Sequence, residues 1–287
     1  MKRQMYRWPA LTAAIALLSL TSPHDALSQR TRIDKETLEV QELVDLLAEF
    51  PDDAQVHFQL GILLAQQDRR DEALSHFEQA IRLEPQSLIY GNEYRMTSIW
   101  FKECDRAIEF FEELVDRNES PQVSRLQLAL AYVDKMPSVM LGIVSQGLLS
   151  NKSINRLTQV IEQDSSNWAA WYARAMNHLH WPRAMRHGTQ SIHDFQQALK
   201  IQSAMNLPKP RPYFVLTYIG LGDALVKEKR HDEARDVWRR GLELFSKNAH
   251  LRKRLTLADN VQLEKFVEKA RWLEKQIDTD LSILWAD

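Results

Sequence analysis

Two arginines stand where side chains of that size do not belong. Arg95, in the run Tyr90-Gly-Asn-Glu-Tyr-Arg95, and Arg174, in Trp168-Ala-Ala-Trp-Tyr-Ala-Arg174, interrupt segments whose other residues are spaced for close helix packing. A guanidinium in such a place is costly unless a carboxylate or a ligand engages it. Its planar fork can hold one carboxylate through two parallel hydrogen bonds. Projected beside the two arginines are Asn92, Met96, Trp100, Tyr172 and Met176, a mixture of polar and adaptable apolar groups suited to capturing a peptide. The competing reading pairs the arginines with local acids, Glu93, Glu103 or Asp164, and makes them struts between helices.

The remaining reactive side chains form no catalytic constellation. The sequence has no Gly-rich phosphate loop, serine elbow, HExxH or CxxC. His178, His180, His187 and His193 cluster. His178 and His180, two apart on a helix, point to different sides. His180 can meet His187 across a long turn, an arrangement that would suit a metal, but the plainer reading is solvated or hydrogen-bonded loop histidines, and no metal or cofactor is expected. Cys104 is the only cysteine, so no intramolecular disulfide can form. At a helix start it reads as a small packed hydrophobe.

The elements that position these residues are helices. Residues 54–85, AQVHFQLGILLAQQDRRDEALSHFEQAIRLEP, carry Leu60, Leu64, Leu74, Phe77 and Ile81 at helical spacing. Gly61, Ala73 and Ala80 sit where two helices must approach, and Pro85 ends the second. The pattern repeats at 34 residues: Ala73 to Ala107, Phe77 to Phe111, Gly61 to Arg95 and on to Ala129. Leu60-Gly61, Leu64, Ala73-x3-Phe77, Ala80 and Pro85 resemble a tetratricopeptide repeat, with His57 in its usual Trp position. Leu221-Gly222, Leu225, Ala234-x3-Trp238 and Gly241 resemble it again.

The resemblance implies an all-α fold, an α-solenoid (right-handed superhelix) of about five such helix pairs with capping helices. It also implies that the first helix of each pair lines the concave face, the usual ligand surface. Gln55, Phe58 and Ile62 hold that face of the first repeat, so the family's two-carboxylate clamp, which uses Lys and Asn, is not expected.

Between the third repeat's first helix and Leu157, in the Phe position, the register slips by about twelve residues. The inserted stretch is apolar, with Val139, Met140, Leu141, Val144 and Leu148 as candidate docking residues. It reads either as a lid or docking helix for a partner or membrane surface, or as an extra helix packed on the stack, with helix resuming at Ser153 as N-cap. The expected organisation is a signal peptide at 1–28, a polar segment and capping helix at 29–53, and repeats one to three at 54–134. The insert follows at 135–152, the rest of repeat three with repeat four at 153–201, and a Pro-rich connector at 202–213. Repeat five spans 214–248, and capping helices fill 249–287, with the final LSILWAD folding back as a last turn.

Lys2, Arg3 and Arg7 before the apolar run Ala10–Leu20, with small residues to Ser28, read as a secretory signal. The run is about half the ~20 residues of a membrane span, which favours a cleaved leader over a retained anchor. A formal charge of −2 gives no reason to expect nucleic acid. The expectation is an exported, periplasmic or secreted, non-catalytic scaffold that takes a protein or peptide segment in its groove. Asn92, Arg95, Met96, Trp100, Tyr172, Arg174, Met176 and His180 are its candidate contacts. The alternative is a small-ligand protein serving a transport system, its pocket closed by the insert.

Overall fold

The computed structural model describes residues 30–137, 142–273 and 277–285. The expected leader at 1–28 and the insert residues Val139, Met140 and Leu141 lie outside them. Among the described residues there are thirteen α-helices and no strand. They are α1 (Arg30–Glu49), α2 (Ala54–Gln66), α3 (Arg70–Leu83), α4 (Leu88–Phe101), α5 (Cys104–Asp116), α6 (Pro121–Lys135), α7 (Ile143–Gln163), α8 (Trp168–His180), α9 (Gly188–Ala204), α10 (Val215–Lys227), α11 (His231–Leu244), α12 (Ala249–Leu255) and α13 (Asn260–Leu273).

The helices pair as α2/α3, α4/α5, α6/α7, α8/α9 and α10/α11, each pair packing on the next. First helices also touch, α4 with α6 and α8 with α10, and so form one layer of an α-solenoid. Helix α1 packs on α2 as a leading half-repeat, and α13 packs on α10.

Local chemistry fixes where each pair begins and turns. Asp53, Ser87, Asn167 and Asn248 accept from the backbone N–H three residues on and so cap α2, α4, α8 and α12. Asp68 and Lys102, 34 residues apart, adopt left-handed backbone (φ 58° and 65°) between the first and second helices, and Lys229 does so in the fifth pair. Within a pair, a glycine of the first helix receives an aromatic ring of the second. A Cβ on Gly61 would stand 2.9 Å from the Phe77 ring, and one on Gly222 only 2.0 Å from Nε1 of Trp238. The two contacts occupy equivalent places at opposite ends of the stack.

The insert departs from the expected layout. Helix α6 stops at Lys135, two residues before Pro137, which cannot donate to a helical ladder. Helix α7 then runs unbroken from Ile143 to Gln163, with Gly142 in extended backbone before it. Ser153 is therefore no N-cap but a buried mid-helix residue. Much of the extra length is a helical extension of the repeat's second helix, its first turns uncovered: Ile143 is 88% exposed, Val144 78% and Leu148 62%. Two other expected boundaries move. The first helix begins at Arg30, within the expected polar segment, and α9 runs on to Ala204, past the expected end of repeat four at 201.

Beyond α13 the chain returns to the stack. Residues 277–280 have no regular secondary structure and Leu281–Leu284 form a single 3₁₀ turn against α4. Ile277 joins the core built from α8 to α13, and Leu281 joins one built from α6, α7 and α8. The tail thus lies across the first helices of the second, third and fourth pairs.

Candidate functional site

The inner side of α4 carries Asn92 and Arg95, three residues apart and hence on one helix face. Both are buried, Arg95 completely. Its guanidinium makes four hydrogen bonds: Nε donates to Gln127 Oε1 (2.7 Å) and Nη1 to Asp134 Oδ2 (2.7 Å), both on α6. The Nη2 donates to Asn92 Oδ1 (3.1 Å) and to the backbone carbonyl of Thr279 (2.8 Å).

Asn92 completes the hold. Its Oδ1 accepts the Leu281 N–H at 2.8 Å, and its Nδ2 donates to Asp280 Oδ1 at 2.9 Å. The Thr279 hydroxyl donates to the second oxygen of Asp134. Asp280 is in extended backbone (φ −70°, ψ 113°). The carbonyl before it and the N–H after it therefore face the same way, as in a strand. Helix α4 reads that edge with two side chains, while Gln127 Nε2 is tied to the Leu88 carbonyl (3.2 Å) and holds the floor.

The apolar half of the site follows along the tail. Leu281 packs among Leu126, Ala129, Leu130, Leu157 and Val160. Ile283 and Leu284 belong to the cluster of Trp168, Tyr172, Tyr213 and Phe214. Burial pushes the Asp134 carboxyl upward, against the opposing pull of Arg95 and the Thr279 hydroxyl. Glu93 is pushed up to about 7, first by burial and then by the charge of Asp280. These groups can bind an extended segment by its main chain, one hydroxyl and its aliphatic side chains.

The expected contacts are thus only partly brought together. Asn92, Arg95 and Tyr172 meet the tail. Arg174 does not share a groove site with Arg95. It makes two hydrogen bonds to Asp194 (2.7 and 2.9 Å), donates to Thr158 Oγ1 (2.8 Å) and lies over the Trp171 ring, which makes it a strut. The acids that engage the two arginines are Asp134 and Asp194, not Glu93, Glu103 or Asp164.

Met176 is buried in the core and Met96 is half-buried. Trp100 is 61% exposed, stacked on Phe101 at the end of α4. His180 Nδ1 lies 2.8 Å from the Met176 carbonyl. The partner of His187 across the turn is instead His178, their Nδ1 atoms 2.8 Å apart, so one ring carries the proton that the other accepts. Burial lowers His178 to about 4 and keeps it neutral.

Sequence reasoning missed Gln127, Asp134, Thr279, Asp280 and Leu281. The one signal for them was Asp134 itself, a carboxylate closing the apolar run LALAYVD of α6.

Residues 54–87 match the family profile of the tetratricopeptide repeat. That stretch, α2 and α3, is a tetratricopeptide repeat. Two solved structures share the chain's fold. TTC0263, a tetratricopeptide-repeat protein of Thermus thermophilus, is 19% identical at a TM-score of 0.50, over 71% of this chain and 97% of that one. PilW, a type IV pilus biogenesis factor, is 12% identical at a TM-score of 0.51, over 79% and 93%. Among curated protein sequences none matches. Among the described residues no helix is long and apolar enough to cross a membrane.

Proposed function

We propose that this tetratricopeptide-repeat protein is a non-catalytic, exported scaffold. It would hold an extended protein segment along its inner helices during assembly or maturation of an envelope complex. One observation carries the reading: Asn92 and Arg95 of α4 hold the main chain around Asp280, a contact that does not depend on the segment's side chains. Buried groups that read a backbone edge serve segment recognition, and they have no evident use in a reaction.

Export rests on the leader-like sequence of residues 1–28. The alternative, a small-ligand protein whose pocket the insert closes, has less support. Ile143, Val144 and Leu148 are turned to solvent. A cleft of about 660 Å³ lies instead between α9 and α11, beside Leu199, Val237 and Arg240.

The test is a photoreactive side chain at Met96, one turn from Asn92, in the full chain within its envelope fraction. The reading expects one dominant cross-linked protein that disappears with Asn92→Ala. Cross-links confined to the chain's own tail would count against it.

A further inference from the structure

We propose that residues 277–285 are a resident occupant of this inner-face site, displaced by a partner segment of the same chemistry: Ser or Thr, then Asp, then an aliphatic residue, with further apolar residues after it. The inference rests on the groove reading above and specifies its ligand.

The specificity follows from what each group accepts. Arg95 Nη2 and Asn92 Oδ1 take a carbonyl and an N–H that flank one residue, which any extended segment offers. Asp134 is more selective. Its Oδ1 accepts the Thr279 hydroxyl, and its other oxygen is already engaged by Arg95. A Val at that place would leave a buried carboxylate oxygen without a donor, and a Ser would not.

The Asn92 carboxamide donates to the Asp280 carboxylate, so the next position favours an acceptor. Leu281 then packs among apolar side chains of α6, α7 and α8, where burying a polar residue is costly. Beyond it, Ile283 and Leu284 meet aromatic rings, which take any large apolar group.

The same contacts explain why the site is not left empty. With the tail gone, Arg95 Nη2, Asn92 Oδ1 and Asp134 Oδ1 each lose a partner, and buried polar atoms do not go unpaired cheaply. Two features mark the tail as exchangeable. Ser282 to Trp285 are only half-buried. The Asp280 carboxylate also bears on the Glu93 carboxyl, a like-charge contact that a permanent cap has no reason to keep. Covalent attachment raises the tail's effective concentration to the millimolar range, so a free segment competes poorly until the tail is loosened.

The experiment uses the full chain and a fluorescein-labelled synthetic peptide, Ile277–Trp285, followed by anisotropy. Leu281→Asp releases the tail in cis. The peptide is expected to bind this variant at least tenfold more tightly than the unaltered chain, and a peptide carrying Thr279→Val to lose at least tenfold. Equal affinity for both chains overturns the resident-occupant inference and leaves the groove reading intact. No binding to a Leu281→Asp chain that keeps its circular dichroism and cooperative unfolding overturns the groove reading itself.

A dimer of the unaltered chain that dissociates with Leu281→Asp would give the site to a second copy's tail and overturn the partner assignment. Should Leu281→Asp fail to fold, hydrogen exchange on the unaltered chain decides. Excess peptide is expected to strip protection from the Leu281 amide, and bound peptide with that protection unchanged overturns the inference.

Discussion

Asn92 Oδ1 accepts the Leu281 N–H at 2.8 Å across 189 residues of chain, and Asn92 Nδ2 reaches Asp280 from the other side. One carboxamide therefore ties the end of the described chain to its second repeat. Asn92→Ala removes both contacts and one partner of Arg95. Each buried group so orphaned costs about 1–3 kcal/mol. The expected outcome is a loss of at least about tenfold in Leu281 amide protection, with α10 and α11 unchanged. Hydrogen exchange with residue resolution measures it, and uniform loss across the stack would show that the tail is not a separable unit.

The Arg95–Asp134 pair should be highly sensitive to substitution. Both side chains are almost fully buried, so removing one partner strands the other's charge. Asp134→Ala is expected to cost about 3–5 kcal/mol, and Asp134→Asn less, because a carboxamide oxygen still accepts from Arg95. Urea unfolding followed by circular dichroism gives the two midpoints, and similar losses would mean that the missing charge, common to both variants, dominates and the retained acceptor counts for little.

Tail docking should weaken as pH rises through the weakly acidic range. In the docked state Glu93 sits at about 7 against an ordinary 4.5, because burial and then Asp280 disfavour its charge. The docked form therefore holds the proton that the released form has lost, and docking is strongest below about 4.5 and fades toward 7. The shift corresponds to at most roughly 3 kcal/mol. Comparing Leu281 amide protection at pH 5 and pH 8 tests the slope. Glu93→Gln should flatten most of it, and an undiminished slope in that variant would assign the effect elsewhere.

The repeat frame was readable because it is set by local rules. Small residues at Gly61, Ala129 and Gly222 and large ones at Phe77, Phe111 and Trp238 recur at spacings that helix packing demands. The break at Arg95 was readable too, since a guanidinium in a close-packed place needs a partner. The partner's identity was not. Asp134 meets Arg95 because α6 packs on α4, and Thr279 meets it only because the tail folds back over the stack, a long-range event without a local signature. Ser153 misled for the reverse reason. It has the chemistry of an N-cap, but nothing between Ile143 and Lys152 stops a helix, so α7 runs through it.

The glycine contacts offer a graded test of packing. A methyl on Gly61 would stand 2.9 Å from the Phe77 ring, a small shortfall that a slight ring shift relieves. The roughly 1 kcal/mol gained by Ala over Gly in a helix offsets it, so Gly61→Ala should lie within about 1 kcal/mol of the parent. On Gly222 the methyl would stand 2.0 Å from Trp238 Nε1, inside a fully buried indole's place. Overpacking of that kind costs about 1–3 kcal/mol, and Gly222→Ala should lower the thermal midpoint clearly below that of Gly61→Ala. Equal midpoints would mean that α10 and α11 can separate freely.

The exposed start of α7 should be dispensable for folding. Ile143, Val144 and Leu148 are 88%, 78% and 62% exposed, so they bury little area on folding. Substitutions at such positions usually stay within about 0.5 kcal/mol each. Changing all three to Gln, a good helix former, is therefore expected to leave the unfolding midpoint nearly unchanged while lowering binding of a hydrophobic dye. A marked fall in stability would instead show that these side chains pack on the stack and that the extension belongs to the core of the third repeat. With stability retained, the triple variant separates any loss of partner capture at this end of α7 from loss at the Asn92–Arg95 site, because the two lie on different helices. Combined with Asn92→Ala, independent losses should add in free energy, whereas a partner that bridges both surfaces would produce a smaller combined effect.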